Sequence, residues 1–376
     1  MNLTGTSQRS RRPLIRSSFG VVGIGLVPVI LGTSFGVGHA SVAAIQVPSF
    51  PQLDAPAEAA LADAESLLGG RPYQLVVMQG QRVLLSASSS GTSLTTPVTL
   101  ASVSKAITAM VIMRLVEEGQ LTLDRTMAEI LPSEMITEPW RDITVKQLLT
   151  HQSGFGDDRT RWFNSTYSSC FDAFVNTINR DKPNNPGTYQ YSNTNFCALS
   201  LIINAITDVS YEEAAFRYVF RPLGIGRQKM NGEYVNLLGA GGWEMSALST
   251  ARLISALDPQ ASISPLSISS RRTMIQRTHY NYGLGVWIWD ESTFGHSGTL
   301  NRARNIAVRL PSGRVVVLLT QATYPESGLD LLTIAKSIDQ TYGSACARES
   351  CEAVGPDPFL GDAHHLLRQT YFSAAA

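Results

Sequence analysis

The fourteen residues "VSKAITAMVIMRLV", Val103 to Val116, constrain the fold most. Written at 3.6 residues per turn, Val103, Ala106, Ile107, Ala109, Met110, Val111, Ile112, Met113, Leu115 and Val116 cover every face. A helix apolar all round is surrounded by protein, so the chain must fold around it. The spacing predicts a helix from about Ser102 to Glu118, ended by Gly119. Until Arg114 its one charge is Lys105, and an ammonium buried without partners is costly enough to lose its proton or be matched by them.

Ser102 stands three residues before Lys105 on the same helix face, where i and i+3 side chains meet; Ser104 points elsewhere. Ser102 also falls at the expected helix N-terminus, where backbone N–H groups favour an oxyanion. A lysine whose pKa is lowered by burial can take a proton from a serine hydroxyl, which activates a weak nucleophile. Ser102 and Lys105 therefore read as a Ser-x-x-Lys acylation site. Among the five lysines, Lys105, Lys146, Lys182, Lys229 and Lys336, only Lys105 has a serine at that spacing. The competing Gly-x-Ser-x-Gly signature occurs at Gly32–Gly36, inside a leader-like segment, and supports no hydrolase elbow there.

Two further stretches carry chemistry. In "PGTYQYSNTNF", Tyr191 and Asn193 follow a Pro-Gly turn and precede the apolar run "FCALSLIINAI", so both can point into one cleft. Tyr191 can share proton transfer with Lys105, whose charge favours the phenolate, and Asn193 can hold a substrate amide. The second Tyr-x-Asn, Tyr234–Asn236, lacks the Pro-Gly turn. In "FGHSGTL", His296 and Ser297 are expected to line a strand edge, and Gly298 lets substrate reach the backbone. The N–H groups of Ser102 and Thr299 would form the oxyanion hole.

Thirty basic and thirty acidic residues cancel, and no basic stripe interleaved with aromatics appears, which argues against nucleic acid as a partner. The N-terminal order is an arginine-rich start, "SQRSRRPLIRSS", an apolar run, "FGVVGIGLVPVILGTSFGVG", and small residues, "HASVAA". That order predicts a signal peptide over 1–43 with cleavage near Ala40, Ala43 or Ala44, so the protein is expected to be exported. "SRRPLIR" loosely fits a twin-arginine signal; an uncleaved membrane anchor is the alternative. Cys346 with Cys351 is the expected disulfide, while Cys170 and Cys197 are equally readable as a disulfide or as buried thiols. Cys346, Cys351, His364 and His365 loosely resemble a zinc cluster, but adjacent histidines are poorly spaced for one ion, and no metal is expected.

The coarse pattern is a helix at Ala55–Gly70, two strands around Gln79–Gln81, the apolar helix, a loop-rich helical middle over about 121–245, three strand-like stretches, and a helix closing near Gly343. Strands and a helix at both ends predict an α/β (α+β) fold, an antiparallel sheet from both termini flanked by helices with an inserted helical subdomain. The expected hydrolase domain is 44–343, with a tail over 344–376.

Ser-x-x-Lys, Tyr-Ser-Asn and His-Ser-Gly in this order resemble the three motifs of the serine β-lactamase and penicillin-binding superfamily. Tyr-Ser-Asn resembles the branch holding class C β-lactamases, D-Ala-D-Ala carboxypeptidases, D-aminopeptidases and esterases. "LVEEGQLTLD", "ITVKQLLTHQSGF", "GGWEMSALSTARLI" and "YGLGVWI" resemble it too, so the likeness runs from about Ala55 to Tyr342. The resemblance implies Ser102 as acylated nucleophile, Lys105 and Tyr191 as proton-transfer pair, Asn193, His296, Ser297, Gly298 and Thr299 at the substrate, and a structural His151. It implies no cofactor, and a small-molecule or peptidoglycan-type peptide substrate. Histidine at 296, where class C β-lactamases carry lysine, points to a carboxypeptidase or esterase ahead of a lactamase; a non-catalytic penicillin-binding module is a further alternative.

Overall fold

The computed structural model describes residues 53–89, 92–156, 167–321 and 330–349. The expected signal peptide, Cys351, His364, His365 and the tail beyond Glu349 lie outside the described residues. Strands β1 (Tyr73–Gln79), β2 (Arg82–Ser88), β6 (Trp287–Asp290), β7 (Thr293–Leu300), β8 (Ala303–Arg309) and β9 (Arg314–Thr320) form an antiparallel sheet in the order β2-β1-β9-β8-β7-β6. Two strands come from the N-terminal part and four from the C-terminal part, as the sequence pattern predicts. The tight turns at Gly80 (φ 59) and Gly313 (φ 85) use glycine's access to the left-handed region.

Alternation along the strands sorts the core into two layers. Leu75, Val77, Ile306, Val308, Val316 and Leu318 face the helix Ala55–Leu68 and the C-terminal helix Leu331–Glu349. Val76, Met78, Ala307, Val315, Val317 and Leu319 face the opposite core. Asp54 caps the first helix by accepting the Ala57 N–H at 2.9 Å, and Asp63 Oδ2 accepts from Ser337 Oγ at 2.8 Å, joining the two terminal helices. The last helix runs on to Glu349, beyond the end expected from the pattern.

The all-apolar stretch forms the α-helix Ser104–Glu117, buried from Ser104 through Met113. Its start differs from the expectation, because Ser102 sits in a 3₁₀ turn, Ala101–Val103, that leads into the helix. Ala101 has φ 52, a left-handed conformation unusual for a residue with a Cβ, and it turns the chain sharply before the serine. A small sheet of β3 (Val98–Thr99), β5 (Trp243–Met245) and β4 (Lys229–Met230) holds this turn from below. The Leu100 N–H donates to Trp243 O at 2.8 Å, and Asn305 Nδ2 donates to Thr99 O at 2.8 Å, fixing the turn to both sheets.

In the middle region, the helices Cys170–Arg180 and Asn193–Thr207 are joined by a Cys170–Cys197 disulfide. This decides the question the sequence left open: the apolar surroundings of Cys197 bury a disulfide, both residues being almost wholly inaccessible. A cross-link over 27 residues stabilises a fold by about 3 kcal/mol. No helix among the described residues is long and apolar enough to cross a membrane.

Candidate active site

Lys105 is fully buried, and what surrounds its ammonium explains why it is tolerated. Nζ donates to Ala240 O at 2.6 Å, to Asn193 Oδ1 at 2.8 Å and to Ser102 Oγ at 3.3 Å. It also stands 4.8 Å from the Tyr191 ring centre and 5.4 Å from that of Phe196. Three oxygens match the three donors of an ammonium, and aromatic faces add cation–π attraction. The structure thus brings Ser102, Lys105 and Asn193 together, with Tyr191 beside them, from two separate parts of the chain, and adds the Ala240 carbonyl from a third. Ala240, which the sequence reading missed, ends a kinked segment, Gly232–Ala240, in which Leu238 has φ 42 and ψ −121. The second Tyr-x-Asn, Tyr234–Asn236, belongs to that segment, whose contact with Lys105 is made by the Ala240 carbonyl.

Asn193 opens the helix Asn193–Thr207, so Tyr191 and Ser192 lie on the approach to it. His151 fixes that approach. Its Nδ1 accepts the Ser192 N–H at 3.2 Å and lies 3.1 Å from Asn195 Nδ2, while Asn195 Oδ1 accepts from Ser153 Oγ at 2.5 Å. With Nδ1 an acceptor, the proton of the neutral ring is on Nε2. Burial first, then the charge of Lys105, holds the His151 pKa well below the ordinary histidine value. Its ring lies 4.2 Å from that of Tyr191. The residue expected to be structural is thus packed directly on Tyr191.

The third stretch is β7. Its partner β6 pairs only at Thr293, Phe294 and Gly295, so residues 296–300 form a sheet edge not covered by β6. A Cβ on Gly298 would overlap the Leu100 carbonyl oxygen and stand 3.1 Å from Ser102 N. Glycine there brings the strand edge and Ser102 together. Gly285 does the same for the preceding segment: with φ 74, it rests on the backbone of Lys105. Ser297 and Thr299 are half-buried along the edge.

His296 is buried within this stretch. Its Nδ1 donates to Ser297 O at 2.5 Å and Nε2 lies 3.0 Å from the Tyr282 hydroxyl. A carbonyl can only accept, so the tautomer is Nδ1–H and the Tyr282 O–H donates to Nε2. Burial, with the Lys105 charge as second cause, lowers its pKa to about 3. The ring is therefore neutral near pH 7, with both nitrogens engaged inside the protein. Tyr282, the partner, was not singled out by the sequence; the "YGLG" context was its only signal.

With this geometry in place, comparison with known proteins is decisive at the level of the family. The Beta-lactamase family model matches residues 70–339. The chain belongs to the beta-lactamase family. Family members of this fold are serine hydrolases, and that class covers this chain. Penicillin-binding protein 4 of Amycolatopsis lactamdurans is 33% identical over 130 residues, 33% of each chain. The match thus spans about a third of that relative's length. In structure, SurE solved with D-Leu aligns with TM-score 0.64 at 20% identity over 81% of this chain and 79% of that one. D-amino acid amidase from Ochrobactrum anthropi SV3 aligns with TM-score 0.64 at 17% identity over 76% of this chain and 100% of that one. These two likenesses establish the fold.

Proposed function

We propose that this member of the beta-lactamase family is an exported hydrolase that acylates Ser102 and cleaves D-alanyl peptides of peptidoglycan type, as a D-Ala-D-Ala carboxypeptidase does. The observation that carries the reading is the set of contacts at Lys105 Nζ, which reaches the Ser102 hydroxyl and the Asn193 amide at once. Ser102 Oγ attacks the scissile carbonyl and forms the ester bond. Its proton passes through Lys105 and Tyr191 to the departing amine as the C–N bond breaks. The N–H groups of Ser102 and Thr299 hold the oxyanion, helped by the close seat of Gly298. Water then attacks the acyl-serine, with the proton path reversed. No metal or cofactor enters these steps. The curated penicillin-binding relative and the D-amino acid amidase neighbour favour a D-configured amide substrate.

One observation favours a second reading, a carboxylesterase. With His296 neutral and internally bonded, that residue offers no positive charge to a terminal carboxylate, so binding a carboxylate would fall to Ser297 and Thr299.

Labelled penicillin, a D-Ala-D-Ala peptide and a p-nitrophenyl ester separate the readings. The expected result is an adduct on Ser102, release of D-alanine, and loss of both in Ser102→Ala, with turnover lower by roughly 10³-fold or more. Adduct formation in Ser102→Ala would overturn the nucleophile. Ester cleavage without D-alanine release establishes the esterase, rapid release of opened penicillin a lactamase, and a stable adduct without any turnover a binding module.

A further inference from the structure

Beside Tyr191 the molecule carries aromatic residues that the proton-transfer chemistry does not use. Trp287 lies parallel to Tyr191, at 4° between planes and 6.3 Å between centres. Tyr189 lies 6.2 Å from Trp287, and Tyr280 lies 5.3 Å from Tyr189. Tyr191, Trp287 and Tyr189 are half-buried, whereas Tyr280 is 62% exposed. The row therefore runs from the buried neighbourhood of Lys105 out to solvent.

The outer end is held in place at a cost. Tyr280 and Asn281 have φ 66 and φ 60, two successive side-chain-bearing residues in the left-handed region. Such conformations persist only where surrounding structure enforces them, and they concentrate at functional sites. Here the enforcing contacts are visible: Thr278 N and Oγ1 both donate to Tyr282 O, at 3.0 and 2.5 Å, and the Tyr282 hydroxyl donates to His296. The turn displaying Tyr280 is pinned to the third motif.

We propose that Tyr280, Tyr189 and Trp287 form a leaving-group subsite that selects substrates whose departing amine or alcohol carries an aromatic or bulky apolar side chain. The assignment rests on the acyl-serine reading above. In that reading Tyr191 passes the proton to the departing atom, so the departing group lies next to Tyr191, and the surface continuous with Tyr191 is this aromatic row. Flat rings prefer stacked or edge-on aromatic partners and bury apolar side chains of most shapes, whereas a methyl group reaches little of such a surface. Charge plays no part in the selection, since Tyr189, Trp287 and Tyr280 are neutral.

The test uses full-length enzyme and acyl-matched pairs: D-Ala-D-Phe against D-Ala-D-Ala, and acetyl benzyl ester against acetyl ethyl ester, with D-Phe-D-Ala to probe the acyl side. Wild type is expected to favour the benzyl-bearing leaving group by roughly 10-fold in kcat/KM. Tyr280→Ala is expected to reduce that ratio about fivefold, through KM, and Tyr280→Phe to restore it. Because Tyr280 is on the surface and the readout is a ratio within one protein, altered folding does not mimic the effect. No preference in wild type, a ratio unchanged in Tyr280→Ala, or a preference confined to D-Phe-D-Ala would each overturn the subsite. Turnover surviving in Ser102→Ala would instead overturn the underlying acyl-serine reading, so the two failures are distinct.

Discussion

The two sides of the cleft treat charge in opposite ways. On the helix side, Lys105 is surrounded by Ala240 O, Asn193 Oδ1 and Ser102 Oγ, each placed to accept from an ammonium. On the strand side, His296 is packed until burial and the nearby lysine drive it neutral, as they do His151 beneath Tyr191, and Tyr282 is pushed well above the ordinary phenol value by burial. The site thus gathers hydrogen-bond acceptors at one nitrogen and keeps the imidazoles around it neutral. The lesson is that titratable residues of one site can serve two ends: in the proposed mechanism one set moves protons, while the buried histidines hold geometry by staying neutral.

The comparison breaks most visibly if Lys105 is removed. Lys105→Ala is expected to slow acylation by labelled penicillin by roughly 10³-fold while the protein stays folded by circular dichroism. An unchanged acylation rate would show that the helix side does not supply the proton path. A smaller effect sharpens the strand side. Gly298→Ala forces the edge off the Leu100 carbonyl and is expected to lower kcat/KM about 10²-fold by displacing the Thr299 N–H relative to Ser102. Activity within threefold of wild type would remove the strand edge from the reaction.

The smallest effect concerns stability. The folded His296 pKa of about 3 lies below its unfolded value of about 6.5, so between these values the unfolded chain binds the extra proton. Stability from keeping His296 neutral is full above pH 6.5 and is lost as pH falls toward 3. Between pH 7.5 and pH 5 this amounts to about 2 kcal/mol. Urea unfolding at the two pH values should show the loss in wild type and a smaller one in His296→Asn. Equal loss in both would mean that His296 is not the group titrating.

Much of this was legible in the sequence because it rests on periodicity and local spacing. The all-apolar helix announced its burial, the i, i+3 pair announced the meeting of Ser102 and Lys105, and alternating apolar strands announced a sheet from both ends. What stayed hidden depends on long-range backbone. The carbonyl of Ala240 carries no side-chain signature, although the "LLGAGG" run signals a tightly turned segment. β3, β4 and β5 are two or three residues long, too short for any period. His296 could be read only from its chemical type, because its titration is set by burial that only the packed sheet creates and by Lys105, brought close from a distant part of the chain.

The Cys170–Cys197 bond gives the cleft a history as well as a shape. The helix that begins with Asn193 carries Cys197 one turn further on, so the wall opposite Ser102 is covalently anchored only after oxidation. A chain that has folded in a reducing medium holds the same motifs on a wall secured by packing alone. The wall therefore depends on the redox compartment as well as on the sequence, since disulfides persist where the medium is oxidising.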